Sequence, residues 1–218
     1  MCIRDRSICG KALDHGIWAL KTLDIRDFAV DRHKTVDSSP YGGGPGMVLR
    51  PDVLDRTLEA ISDVPGRRIC LSPRGRRFDQ AFAKELANEP GVVLVCGRYE
   101  GIDQRVIEAR EMEEVSLGDF VLTGGEIAAQ ALLDATVRLL PGVIGSEQGL
   151  DEESFEDGLL EYPQYTHPKI WKGRSVPEVL LSGNHKKIAE WKKQQSELVT
   201  RNYRPDLWEA YEGVKVQI

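Results

Sequence analysis

The sequence lacks the features that mark membrane, exported and metal-binding proteins. No apolar run approaches the roughly 18 residues of a membrane-spanning helix. The amino-terminal segment lacks the apolar core of about 7–15 residues that a secretory signal needs. None of the four cysteines has metal-ligand spacing, and Cys70 and Cys96 each lie in an apolar run, which is typical of buried, reduced thiols. We therefore expect a cytoplasmic protein without a metal site.

Positive charge is scarce overall but unevenly distributed. The formal net charge of −6 argues against a generic nucleic-acid binder. Residues 1–145 carry 19 Lys and Arg against 22 Asp and Glu, residues 146–162 carry seven acidic and no basic residues, and residues 163–218 carry ten basic against six acidic residues. This acidic connector and basic tail could concentrate a phosphate backbone on one region, or could be two ordinary solvated faces.

The order of apolar runs predicts an α/β fold. Short runs end near Leu71, Cys96 and Val115, and each is followed by a glycine-containing loop and a helical pattern. Strand, loop and helix repeated three times predict a parallel sheet covered by helices, in a domain spanning residues 1–145. Residues 146–160 read as a flexible acidic linker, and residues 161–218 as a small, mostly helical domain.

The glycine-rich loops do not match common phosphate-binding motifs. Residues 42–46 lack the Lys-Ser/Thr that ends a P-loop, and no G-x-G-x-x-G follows a strand. In parallel sheets, ligands gather at the loops leaving the carboxyl ends of the strands. Three such loops suit a nucleoside-like ligand held by backbone groups, although each glycine could equally serve only a tight turn.

Two polar clusters add candidate sites. Residues 31–37 mix both charge signs with a histidine, but a metal site there would lack a third close ligand, so a solvated loop is the simpler interpretation. Arg74, Arg76 and Arg77 lie beside a strand end and could hold phosphates. The residues alone thus indicate an α/β enzyme with a small-ligand site built from loops and a basic appendage, without defining the reaction.

Several ordered motifs run along the chain. They are PYGGGPGM at residues 40–47, LSPRGR at 71–76, CGRYEGID at 96–103, LGDFVLTGGE at 117–126, YTHP at 165–168 and VLLSGNH at 179–185. These motifs resemble the bacterial tRNA (guanine-N1)-methyltransferases of the SPOUT superfamily, the TrmD family. The similarity covers roughly residues 7–208.

The resemblance implies a deep trefoil knot whose loops hold S-adenosyl-L-methionine. It further implies transfer of the methyl group to N1 of the guanosine at tRNA position 37, just 3′ of the anticodon. A magnesium requirement is left open, because tRNA enzymes often need this ion for the RNA. The cofactor-binding residues implied by the motifs are Pro73, Gly75, Gly97, Tyr99, Glu100, Gly101, Leu117, Gly118, Asp119, Phe120, Val121, Leu122, Gly124 and Gly125.

Two charged residues match the catalytic positions of the family. Guanine N1 carries a proton at neutral pH, so a carboxylate at hydrogen-bond distance can act as general base. Matching positions identify Glu153 as this base and Arg138 as its neighbour, which could keep the carboxylate ionised or balance charge on the guanine oxygen. The resemblance also implies a homodimer with active sites at the subunit interface, in which the linker and the basic domain of one subunit close over tRNA bound to the other. The lysines assigned to that domain's tRNA surface are Lys186, Lys187, Lys192 and Lys193.

The chain departs from the family pattern at three places. Glu153 stands where Asp is commoner, Phe120 stands where Tyr is frequent, and MCIRDR at residues 1–6 replaces an apolar strand. Two alternative functions belong to different classes. One is a SPOUT methyltransferase acting on ribosomal RNA, which should lack the linker carboxylate, and the other is a non-catalytic RNA-binding homologue.

Overall fold

The computed structural model describes residues 7–145 and 152–216, with side chains up to residue 213. The chain divides into two compact units, Met1–Gly145 and Ser146–Ile218. The expectations about residues 1–6 and about the start of the acidic linker concern residues outside the described ranges. Within those ranges, no helix is both long and apolar enough to cross a membrane.

The first unit alternates helices and strands. Its elements are α1 (Ile8–Asp14), a 3-10 helix (Ile25–Phe28), β1 (Asp37–Ser38), β2 (Val48–Leu49), α2 (Pro51–Glu59), β3 (Arg67–Arg77), α3 (Gln80–Ala87), β4 (Val92–Val95), α4 (Gln104–Ala109), β5 (Glu113–Ser116) and α5 (Gly125–Val137). β3, β4 and β5 form a parallel sheet in the order β4-β3-β5, and β1 pairs with β2 in an antiparallel ladder. The predicted parallel sheet with helices is confirmed.

The central strand β3 is longer than its apolar run. Leu71 and Arg76 both pair with Val115 of β5, so residues 72–75 bulge out between two segments of one strand. We expected the strand to end at Leu71 and a loop to follow. A register shift of this kind leaves no trace in hydrophobic periodicity, because the bulged residues are not paired.

Helices cover both faces of the sheet. Successive side chains of a strand point to opposite faces, so Ile69 packs in one core and Cys70 in the other. Phe82 of α3 and Leu132 of α5 join Ile69 in the first core, and all three side chains are fully buried. Burial of each such side chain stabilises the fold by about 1.5–3 kcal/mol. The other core contains Leu54 of α2 and lies against the opposite face.

The second unit is mostly helical. Its elements are β6 (Ile170–Trp171), β7 (Arg174–Ser175), α6 (Glu178–Leu181), α7 (His185–Tyr203) and α8 (Pro205–Val216). The Asn184 side chain caps α7 by accepting a 3.1 Å hydrogen bond from the Lys187 amide. The buried Thr200 hydroxyl of α7 accepts a 2.8 Å hydrogen bond from the Leu160 amide. Residues 152–160, in the segment that the sequence suggests is a flexible linker, therefore form turns anchored to α7.

Candidate active site

Three loops at the carboxyl ends of the sheet strands surround one cavity of about 410 Å³. They are the bulge at residues 72–75 of β3, the loop after β4 and the loop after β5. The volume lies within the range of about 300–1,000 Å³ usual for small-molecule sites. Apolar residues such as Val48, Ile102 and Ala128 line the cavity together with glycines and with charged residues such as Arg74 and Glu100. Such a cavity suits a ligand with an apolar ring and a polar edge.

Most of the sequence-predicted cofactor residues line this cavity. The segments 97–101 and 117–125 face the same space, as the prediction of converging loops required. The predicted residues that line it are Pro73, Gly97, Tyr99, Glu100, Gly101, Leu117, Gly118, Phe120, Val121, Leu122, Gly124 and Gly125.

Gly75 and Asp119 are absent from the described lining of the cavity. A Cβ atom at Gly75 would overlap the backbone of Glu114 and Val115. The glycine is therefore needed because the backbone of β3 packs directly against the backbone of β5 at this position. Sequence motifs do not separate a glycine that touches a ligand from one that lets two strands approach.

Backbone hydrogen bonds tie the loops to one another. The Gly125 amide donates to the Gly97 carbonyl at 2.9 Å, which joins the loop after β5 to the loop after β4. The Glu100 amide donates to the Met47 carbonyl at 3.0 Å, which joins the loop after β4 to the strand β2. Gly125 also lies so close to β4 that a Cβ there would come within 2.8 Å of the Cys96 Cα atom. The walls of the cavity are thus held by the protein itself.

Tyr99, Gly101 and Gly118 line the cavity with positive φ angles, and two of them bear on ligand binding. Gly118 has φ +152°, and a Cβ at this residue would come within 3.0 Å of the Phe120 ring. Tyr99 has φ +58°, which is uncommon for a residue other than glycine, and its side chain is 64% exposed. Strained backbone that persists in a loop often marks a ligand-binding position.

Ion pairs add charged groups that sequence reasoning did not assign to the site. The Arg98 guanidinium lies 2.7 Å from a Glu126 carboxylate oxygen, and Arg74 lies 2.9 Å from Glu114. Arg74 lines the cavity, whereas Arg76 stacks on the Phe82 ring at 4.3 Å, on the face of the sheet that holds the Ile69 core. The sequence had indicated Arg74 only as part of a basic cluster that could hold phosphates, and the only signal for Arg98 was its place inside a motif already identified.

The cysteine in the cavity is chemically inert. Burial raises the pKa of the Cys70 thiol to about 11, so it is protonated at neutral pH. Since the thiolate is the nucleophilic form, Cys70 is a poor candidate for covalent catalysis. Within residues 7–145 and 152–216, no group of three or more His, Cys, Asp or Glu side chains could hold a metal ion.

The two predicted catalytic residues lie in different units. Arg138 forms the carboxyl-terminal cap of α5 in the first unit and is half-buried. Glu153 lies in a turn of the second unit and is also half-buried. Its neighbour Glu152 accepts hydrogen bonds from Lys192, at 2.6 Å, and from the Tyr162 hydroxyl, at 2.7 Å. Glu152 thus binds Lys192, a residue of α7.

Comparison with known proteins agrees with the motifs. The family model described as tRNA (guanine-1)-methyltransferase TrmD matches residues 1–210. A tRNA (guanine-N(1)-)-methyltransferase of Rhodospirillum rubrum is 56% identical over 212 residues, which cover 97% of this chain and 89% of that protein. The enzyme of the same name from Rhodopseudomonas palustris is 60% identical over 205 residues, covering 94% and 81%. The one from Bartonella quintana is 58% identical over 206 residues, covering 94% and 88%. The chain therefore belongs to the tRNA (guanine-1)-methyltransferase family.

Proposed function

We propose that the protein transfers the methyl group of S-adenosyl-L-methionine to N1 of the guanosine at position 37 of tRNA. The observation that carries the proposal is the convergence of the loops after β3, β4 and β5 on one cavity. These are the loops that contain the family's motifs in a chain up to 60% identical to the named methyltransferases.

The cavity fits the methyl donor by its chemistry. Gly97, Gly101 and Gly124 line the cavity without side chains, so a ligand can approach the backbone closely there, and apolar neighbours such as Ile102 can cover an adenine ring. The Glu100 carboxylate provides negative charge at the same loop, where it can attract the cationic end of the donor. When bound, S-adenosyl-L-methionine supplies an electrophilic methyl group on its sulfonium.

The protein's own contribution to the reaction is proton removal and alignment. In the proposal, a Glu153 carboxylate oxygen accepts the N1 proton of guanine, which frees the N1 lone pair to attack the methyl group. Arg138 keeps that carboxylate ionised or balances negative charge on the guanine oxygen. Alignment of the donor, the methyl group and the acceptor supplies much of the remaining rate.

We further propose that the first unit is knotted. The chain leaves β5, passes beside the loop after β4, and there the Gly125 amide binds the Gly97 carbonyl. This course supports a chain end threaded through the loops of the same sheet. Knots are nearly absent from protein folds, so the expectation comes from the family resemblance.

We also propose that the protein acts as a homodimer in the cytoplasm. Val121 is 85% exposed, and Phe120 and Ile127, which are close to it in the sequence, are more than half exposed. Apolar side chains grouped on a surface mark a site of protein contact. Sedimentation equilibrium of the purified chain tests the dimer, and a monomer at micromolar concentration would contradict it.

The experiment that tests the function measures methyl transfer from labelled S-adenosyl-L-methionine to tRNA transcripts. Transfer is expected to transcripts with guanosine at position 37 and not to matched transcripts with another base there. Transfer to ribosomal RNA fragments alone would favour the ribosomal alternative. Binding of tRNA without any transfer would favour a non-catalytic homologue.

A further inference from the structure

The second unit exposes a short hairpin with an unusual composition at its tip. β6 and β7 are joined by Lys172 and Gly173, whose φ angles of +48° and +77° are those of a two-residue turn between antiparallel strands. Both residues of each strand are exposed. Trp171 is 57% exposed and Ile170 is 60% exposed. The hairpin therefore displays large apolar side chains to solvent.

One face of the hairpin combines an aromatic ring with two cations. Trp171 and Arg174 are directly opposed across the ladder, so their side chains lie on the same face. The Lys172 ammonium lies 5.0 Å from the centre of the Trp171 ring, within the range of a cation–π contact. Ile170 and Ser175 form the next pair and point to the other face.

The surroundings of the hairpin are basic and open. Every residue from 163 to 175 is exposed. The sequence has no Asp or Glu between residues 163 and 177, but it has Lys169, Lys172, Arg174 and His167 there. Lys172 and Arg174 therefore place positive charge beside the exposed indole. Phosphate groups complement such a surface.

We propose that Trp171 stacks on an unpaired nucleobase of the tRNA while Lys172 and Arg174 contact its phosphates. The proposal rests on the proposed tRNA methyltransferase function and adds a contact outside the cofactor cavity. Proteins recognise single-stranded RNA by stacking exposed bases on aromatic side chains and by pairing phosphates with basic ones. An indole on a short, charged hairpin supplies both groups within a few residues.

The test compares Trp171→Ala with Trp171→Phe and Ile170→Ala in the full-length protein. A stacked base is worth about a 5- to 150-fold change in affinity, so Trp171→Ala should raise KM for tRNA by this factor and leave kcat unchanged. Trp171→Phe should restore most of the affinity, because a phenyl ring still stacks. Ile170→Ala, on the other face, should behave as wild type. Far-UV circular dichroism should show that all three variants fold.

A second measurement addresses the charges. Direct binding of a tRNA transcript, followed by fluorescence anisotropy at several salt concentrations, should show a salt slope reduced by about one for Lys172→Gln and by about one for Arg174→Gln. An unchanged slope in both variants would exclude phosphate contacts from this hairpin.

The outcomes separate the hairpin from the proposed function. Wild-type turnover with an unchanged KM in Trp171→Ala would overturn the stacking role and leave the methyltransferase intact. Wild-type tRNA binding without turnover would defeat the proposed function, and the affinity of Trp171→Ala would still decide the stacking role. A loss of self-association in Trp171→Ala with unchanged tRNA affinity would assign this face to protein contact and overturn the proposal.

Discussion

Substitution of Gly118 by valine tests whether the loop after β5 binds the cofactor. A residue other than glycine at φ +152° costs about 1–3 kcal/mol, and the new Cβ would come within 3.0 Å of the Phe120 ring. If the loop leaves this conformation to relieve the strain, cofactor binding must restore it. The same 1–3 kcal/mol then weakens cofactor binding by about 5- to 150-fold. Displacement of the Phe120 ring weakens it further.

The measurement is titration calorimetry of S-adenosyl-L-methionine with the purified variant. Gly16→Val is the matched control, because Gly16 has φ +72°, a Cβ added there would meet no atom within 4 Å, and the residue does not line the described cavity. Gly16→Val should keep its cofactor affinity whatever folding stability it loses in urea, whereas Gly118→Val should lose cofactor affinity. Unchanged affinity in Gly118→Val, or equal losses in both variants, would refute the assignment of Gly118 to the cofactor site.

Two further predictions concern catalysis and packing. Glu153→Gln should lower methyl transfer by about 10²–10⁴-fold with little change in cofactor affinity, whereas Asp157→Asn, an exposed residue of the same turn segment, should behave as wild type. Equal losses in the two variants would show that the base is misassigned. Leu132→Ala should lower the free energy of unfolding in urea by about 2–5 kcal/mol, because Leu132 is fully buried. The control Leu198→Ala, at a position 50% exposed, should change it by less than about 0.5 kcal/mol. A loss below about 1 kcal/mol at Leu132 would contradict the core described above.

Hydrophobic periodicity predicted the parallel sheet because each apolar strand is followed by a loop and an amphipathic helix. In the structure, α3 follows the loop after β3 and begins at the Asp79 cap, whose side chain accepts a 2.9 Å hydrogen bond from the Phe82 amide. Periodicity failed at the end of β3, where residues 72–75 leave the ladder and Arg76 returns to it. The pairing of Arg76 with Val115 depends on β5, about 40 residues away in the sequence, and local patterns carry no such information.

The cofactor loops were predicted from family motifs. A motif identifies a segment of the chain but does not define the structural role of each residue in it. Glycines of the family motifs serve different purposes in the structure. Gly118 adopts a backbone angle that favours glycine. Gly125 allows α5 to approach the end of β4, and Gly75 allows the backbone of β3 to pack against that of β5. Only the contacts distinguish these roles. The lysine pairing of Glu152 was equally invisible, since seven acidic residues of the connector look alike in the sequence.

Hydrogen bonds within the protein hold the three loops in place before a ligand binds. The Gly97 carbonyl, the Glu100 amide and the Gly101 carbonyl are all occupied by protein partners, with the Leu49 amide donating to the last of them at 2.9 Å. The loops therefore keep their mutual arrangement and need no ligand to bring them together. A binding site that is already formed loses less conformational entropy when the ligand binds. More of the favourable energy of the ligand contacts therefore appears as affinity. Under the proposed function, a glycine such as Gly75, which lines no part of the described cavity, would act on cofactor binding only by letting the surrounding backbone pack closely.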